Sequence, residues 1–416
     1  MKILIKKATI VNPQGSYHQA TKDILIENGI IQNIDNQITA TTDTQIIEKE
    51  GLHVSLGWFD THVSFGEPGL EERETIDHGL SVAERSGFTD ICLISNTLPV
   101  LDQQSLISFV KQKAAHHLCA VHPVGALTKG SLGTDLAELY DMQNAGAVAF
   151  YDVQKNISNT LLMKIALDYV QDFNGLIYSF PQESHLTSKG VVHEGETSTL
   201  LGLKGMPALA EEIALSRDLF LLEYTKGSLH IPTISTAKSV ALIREAKEKG
   251  LAVTCGVAVA NLILTDEKLT GFDTHYKIKP PLRNEFHQKA LIEGLLDGTI
   301  DCITSNHQPI DIEFKKMEFD LAQFGTVGLE ATFGGLLTVL PLDVVIEKLT
   351  FGRTILKQKA ALEIGAQACL TLFEPHTEWE FQAEHLLSKS KNCAFLGCRM
   401  KGKVIGTLHQ NQIKLN

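Results

Sequence analysis

The chain of 416 residues is long enough for one large core and a second, smaller domain, and its 44% hydrophobic and 21% charged content is that of a globular protein. A formal net charge of −12 with no basic run argues against nucleic acid and anionic membrane as partners. No apolar stretch reaches the roughly 20 residues of a membrane helix, and Met1-Lys2-Ile3-Leu4-Ile5 runs straight into strand-like alternation, so a cytoplasmic protein is expected.

From the N-terminus, Ile3 and Ile5, then Asp23-Ile24-Leu25-Ile26 and Ile30-Ile31-Gln32-Asn33-Ile34 read as strands, with Asn28-Gly29 as a hairpin turn between the last two. The C-terminal region reads the same way, in Cys369-Leu370-Thr371-Leu372-Phe373 and Val404-Ile405-Gly406-Thr407-Leu408. Two β-rich ends around a long middle predict one small β domain assembled from residues 1–52 and 352–416. The middle, 53–351, carries short apolar runs at 53–59, 88–94, 119–126, 147–151, 175–180, 228–234, 251–257 and 301–304. Helical patterns lie between them at 71–86, 103–117, 134–145, 158–173, 207–226, 236–249 and 286–297. This alternation predicts an α/β fold, a (β/α)8 TIM-type barrel. An open doubly wound sheet would want a Gly-rich phosphate turn after its first strand, and Asp60-Thr61-His62 is not one. The seven cysteines are scattered and form no C-x-x-C pair, which predicts buried, reduced thiols.

Active sites in such barrels form at the C-terminal ends of the strands. Strand 1 ends in Gly57-Trp58-Phe59-Asp60-Thr61-His62-Val63-Ser64. Alternate residues of a strand point the same way, so two histidines at positions 62 and 64 could share one ion, but Ser64 offers no imidazole. The other ends offer Asn96 on strand 2, Asp152 on strand 4, Phe180 on strand 5, His230 and Thr233 on strand 6, and Asn306 and His307 on strand 8. A catalytic zinc wants about three protein donors and an open position. Only His62 and Asp152 are good ligands here; Phe180 has no donor atom, Thr233 only a neutral oxygen, and Asn306 cannot ionise to serve as a general base.

At these positions the chain resembles the dihydroorotases, cyclic amidohydrolases of pyrimidine biosynthesis. The resemblance runs through Asp60-Thr61-His62-Val63-Ser64-Phe65-Gly66-Glu67-Pro68-Gly69, Gly87-Phe88-Thr89, Asn96-Thr97 and Ala126-Leu127-Thr128-Lys129-Gly130. It continues through Ala145-Gly146-Ala147-Val148-Ala149-Phe150, His193-Glu194-Gly195, Ile234-Ser235-Thr236 and Lys279-Pro280-Pro281-Leu282-Arg283. It ends with Ser305-Asn306-His307-Gln308-Pro309, Gly325-Thr326-Val327-Gly328-Leu329-Glu330 and Ser388-Lys389-Ser390-Lys391-Asn392. The family implies a distorted (β/α)8 barrel with a composite β-sandwich, and a zinc site. By that likeness Ser64, Phe180 and Thr233 stand where metal-ligand histidines are expected, and Asp152 where the bridging aspartate is. Gly66 replaces an arginine that grips the substrate carboxylate, Asn306 the catalytic aspartate, Ile310 a histidine, and Lys279 a substrate-contacting asparagine.

The resemblance is therefore to metal-ligand-deficient members. It implies a pseudoenzyme with no intact catalytic group and no bound cofactor, homodimeric through the barrel, serving as a non-catalytic partner of aspartate transcarbamoylase. His62 and Asp152 are expected to hydrogen-bond each other and plug the mouth, with one weakly held ion as the alternative. His230 is expected to be a hydrogen-bonded core residue, Asn96 a remnant of the substrate site, and Lys279 either an anion contact in the old pocket or a solvated lysine. Two other readings stand beside this one. The first is an active metal-dependent cyclic amidohydrolase opening dihydroorotate to N-carbamoyl-aspartate. The second is a small-molecule binding module using the vacated pocket.

Overall fold

Alternating sequence at the two ends of the chain builds a single sheet. In the computed structural model, which describes residues 1–416, the N-terminal part supplies β1 (Lys2–Ile10), β2 (Thr21–Glu27), β3 (Ile30–Asp35), β4 (Gln45–Glu48) and β5 (His53–Leu56). The order across the sheet is β18-β17-β16-β5-β1-β2-β3, with β16 (Leu370–Glu380), β17 (Arg399–His409) and β18 (Gln412–Leu415) from the C-terminus and β4 beside β1. Ile3, Ile5, Ile24, Ile26, Val54, Leu370, Leu372 and Leu408 form its buried core. The β2–β3 turn has Asn28 and Gly29 both at positive φ (51° and 79°), the backbone that a two-residue hairpin needs.

The barrel strands are parallel: β6 (Trp58–Val63), β7 (Phe88–Leu93), β8 (Ala120–Gly125), β9 (Ala149–Phe150), β10 (Ile177–Tyr178), β13 (Leu229–Ile231), β14 (Val253–Ala258) and β15 (Cys302–Thr304). They follow one another in order around the sheet, and a bridge between Val63 and His307 closes the ring. A separate two-stranded sheet, β11 (Val192–His193) with β12 (Gly205–Met206), stands beyond the strand 5 end. The helices at Ile76–Arg85, Gln104–Ala114, Leu139–Asn144, Thr160–Tyr169, Ala208–Thr225, Ala237–Glu248 and Glu285–Leu296 lie where the 3.6-residue pattern places them. No helix is long and apolar enough to cross a membrane.

Two expectations change. The apolar run 53–59 is not one strand: His53–Leu56 pairs with β1 and β16, and the barrel strand begins only at Trp58. The break is Gly57, whose N–H donates to the Cys369 carbonyl at 2.9 Å and where a Cβ would stand 2.2 Å from Thr89 Oγ1. Helices at Val259–Ile263, Leu329–Leu336 and Leu342–Thr350 were not anticipated. Leu329–Leu336 is buried on most sides and carries Gly334 and Gly335 against Met400, Trp379 and Ile263, so it lacks the polar face on which periodicity depends.

Trp58 joins the barrel floor to the terminal sheet, fully buried against Phe333 (4.6 Å between centroids), Phe373 and Phe88. Gly87 sits beneath it at φ +98°, where a Cβ would meet the indole at 2.4 Å. Gly87→Ala therefore combines backbone strain with overpacking and is expected to cost about 2–4 kcal/mol. Denaturant unfolding reads this directly, and an unchanged midpoint would contradict it.

Candidate functional site

The mouth of the barrel is set by Asp60. Its buried carboxylate accepts from the His62 N–H (3.0 Å), the Ser305 N–H (2.9 Å) and the Thr304 hydroxyl, tying strand 1 to strand 8. Thr304 Oγ1 also lies 3.2 Å from the His62 carbonyl, and the Ser64 N–H donates to the His307 carbonyl at 2.8 Å. These bonds fix the backbone from which His62 and Ser64 project.

The side chains do not converge on an ion. His62 is buried, neither ring nitrogen has a hydrogen-bond partner, and burial pushes it down to about 4, so it is neutral at pH 7. Asp152 does not meet it. One carboxylate oxygen accepts from the Leu127 and Thr128 N–H groups (3.0 and 2.9 Å) and the other from the Thr128 hydroxyl. The expected His62–Asp152 hydrogen bond is absent because Asp152 is spent on ordering the loop after strand 3. Ser64 donates to Asn96 Oδ1 at 2.7 Å, which makes Asn96 a loop contact. Phe180 and Thr233 are buried and bring no charge.

Lys279 is largely buried. Its ammonium lies 5.0 Å above the Phe180 ring and donates to the Gln154 carbonyl at 3.0 Å, and burial lowers its pKa to about 8. The Lys279 carbonyl accepts from Asn306 Nδ2 (3.1 Å) and Gln154 Nε2 (3.3 Å), and Gln154 Nε2 also reaches Gln308 Oε1 at 2.9 Å. Lys279 thus spans the strand 4, 5 and 8 ends. Gln154 and Gln308 are the residues that sequence reasoning missed; as neutral amides outside any ligand pattern they carry no signal. His230 is a core residue, with Nδ1 2.8 Å from Thr254 Oγ1 and its ring 4.6 Å from Tyr178. His307 Nδ1 accepts from the Gly328 and Leu329 N–H groups (3.2 and 3.4 Å). At Gly66 a Cβ would stand 2.3 Å from the Leu70 carbonyl oxygen, so the loop has closed where an arginine side chain is expected.

Comparison with known proteins now has a geometry to rest on. Residues 53–239 match the family model described as Dihydro-orotase-like. A dihydroorotase of Pelotomaculum thermopropionicum is 42% identical over 410 residues, covering 97% of this chain and 96% of that protein. A dihydroorotase of Geotalea daltonii is 37% identical and covers 99% of each. This chain belongs to the dihydroorotase family.

Solved structures add the fold of this dihydroorotase homologue. The L-hydantoinase of Arthrobacter aurescens superposes with a TM-score of 0.86 at 20% identity, covering 99% of this chain and 95% of that one. The dihydropyrimidinase of Brevibacillus agri gives 0.83 at 21%, covering 100% and 95%. The architecture is a TIM-type barrel with a β-sandwich.

The residues at the mouth do not fit the zinc that the family resemblance implies. A tight site needs about three converging donors. Here Asp152 and Ser64 are engaged elsewhere, Phe180 and Thr233 bring no charged donor, no three His, Cys, Asp or Glu side chains converge at the mouth, and an ammonium lies there. The one group of His, Cys, Asp or Glu side chains close enough to share an ion, Asp90 with Cys369 and His409, lies at the opposite end of the barrel.

Burial also makes the histidines acid-sensitive. It lowers His62 and His307 to about 4 and His230 to about 3. Each stays neutral when folded and takes up its proton on unfolding, so stability is complete above the unfolded value near 6.5 and falls as pH drops from there toward 4. The loss approaches roughly 3 kcal/mol for each histidine. Imidazole NMR titration is expected to show these three rings unprotonated at pH 5; a midpoint near 6.5 for His62 would contradict its dry environment.

Proposed function

We propose that this dihydroorotase homologue does not hydrolyse dihydroorotate and instead acts as a protein partner within pyrimidine biosynthesis. The observation that carries the first part is Lys279, whose ammonium lies across the barrel mouth on Phe180 and Gln154. Ring-amide hydrolysis near neutral pH depends on a metal-generated hydroxide, and a general base must take a proton in the transition state. No three His, Cys, Asp or Glu side chains converge at this mouth, and Asn306, which cannot ionise, donates to the Lys279 carbonyl. The substrate carboxylate would also lose its partner, since Gly66 supplies none of the charge-assisted hydrogen bonds an arginine gives, worth about 1.5–3 kcal/mol each.

The partner role follows from likeness to the non-catalytic family members, and aspartate transcarbamoylase is the partner that likeness names. A surface for self-association supports an assembly. The helix Ala208–Thr225 buries one face (Ala214, Leu215, Leu219, Leu222) and presents Leu209, Ile213, Phe220 and Tyr224 on the other, the last two 71% and 75% exposed. Leu161 and Ile165 of the adjoining helix Thr160–Tyr169 widen that patch. A helix apolar on both faces is usually covered on both, and a second copy of the chain is the proposed cover.

Purified protein supplied with zinc is expected to turn over dihydroorotate no faster than buffer, against the ~10 s⁻¹ typical of enzymes. Turnover approaching that rate would overturn the reading. Sedimentation is expected to show a dimer at micromolar protein that Phe220→Asp converts to monomer. A wild-type monomer would remove the self-association surface, and failure to cosediment with the transcarbamoylase of the same organism would remove the partner role.

A further inference from the structure

A buried cluster of charged and titratable side chains lies at the barrel floor, away from the mouth. There Thr89 and Asp90 of β7 meet Cys369, just ahead of β16, and His409 at the end of β17. Arg353, from the short helix Gly352–Ile355, enters between them. Its guanidinium donates to the Gly57 carbonyl, to the Asp90 carboxylate and to Cys369 Sγ at 3.2 Å. Sγ, a carboxylate oxygen of Asp90 and a ring nitrogen of His409 lie within 4.8 Å of one another. His409 Nδ1 is 3.0 Å from the Leu118 carbonyl, which only accepts, so Nδ1 carries a proton and Nε2 is left for the cluster. The other oxygen of Asp90 meets His122 Nε2 at 3.0 Å.

Three donor types around one point resemble a metal site, but Arg353 already contacts the carboxylate and the sulfur, so a cation would have to displace a buried guanidinium. The sulfur is faced instead by the Arg353 guanidinium at 3.2 Å and by the His409 ring, and proton transfer from Cys369 to His409 leaves the net charge of the cluster unchanged. We infer that Cys369 is a buried thiolate, held by Arg353 and His409, and that it is the site at which this chain is oxidised by peroxide.

The chemistry balances within the cluster. The thiolate attacks one oxygen of hydrogen peroxide; the S–O bond forms as the O–O bond breaks. Sulfur gives up two electrons to the peroxide and becomes a sulfenic acid. The second oxygen leaves as hydroxide, takes the Nε2 proton of His409 and departs as water, leaving a neutral imidazole. Of the trio, His409 is half-buried, and Cys369 and Asp90 are buried.

The other cysteines are poor competitors. Burial raises the thiols of Cys92, Cys119, Cys255, Cys302, Cys393 and Cys398. Burial would raise Cys369 too, but Arg353 and then His409 outweigh it and bring it below its usual value. Burial lowers His409, and the sulfur and Asp90 reverse this, raising it to about 8. Cys398 is the most exposed of the seven, so exposure and thiolate character name different residues.

The test is dilute hydrogen peroxide on the intact protein, trapping with dimedone and mapping the label by peptide mass spectrometry. Cys369 is expected to carry most of the label, and His409→Gln to slow labelling at least tenfold. Labelling led by Cys398, or spread evenly, would overturn the inference, as would a folded His409→Gln protein labelled at the wild-type rate. A second readout needs no oxidation: the thiolate band near 240 nm at pH 7 should be present in the wild type and lost in Cys369→Ser. Its absence from the wild type would overturn the inference by itself.

Discussion

One ammonium governs the chemistry of this barrel. Lys279 lies across the mouth, 5.0 Å from the Phe180 ring centre, with its charge directed to the Gln154 carbonyl. A divalent ion bound at this mouth would be opposed by that charge. Phe180 offsets none of that repulsion as a ligand and supplies a ring face on which the ammonium rests. An ammonium at this position and a bound cation therefore oppose each other.

The scaffold around this mouth has kept its integrity. Asp60 still locks strand 1 to strand 8, and Asp152 still orders the Leu127–Thr128 turn, so two carboxylates suited to ion chemistry serve the backbone instead. At the floor, Arg353 joins Gly57, Asp90 and Cys369, binding barrel to terminal sheet in a dry, charged seam. Gly66 has a carbonyl oxygen 2.3 Å from where its Cβ would be, so the loop would have to open to accept any side chain there.

Much of this was legible in the sequence. The eight barrel strands, seven of the helices between them, the Asn28-Gly29 hairpin and the β-rich ends follow from periodicity and turn chemistry, which local sequence encodes. The reading of Ser64, Phe180 and Thr233 as metal-ligand positions and of Asn306 as the catalytic aspartate's position rests on likeness to the family alone. The partners of His62 and Asp152 did not follow, because a carboxylate can be claimed by a nearby backbone loop, and Thr128 is no part of a ligand pattern. Lys279 was ambiguous for a related reason: nothing in Lys279-Pro280-Pro281 says whether the ammonium points out to solvent or back over an aromatic ring. The break at Gly57 hides inside an apolar run, and the helix Leu329–Leu336 hides because burial on most sides erases the amphipathic signal.

The most direct check of this account is elemental analysis of protein equilibrated with micromolar zinc, without chelators, and then passed through a desalting column. The account predicts substoichiometric zinc that is unchanged by His62→Ala. One or two ions per chain, retained by the wild type and lost in that variant, would contradict it.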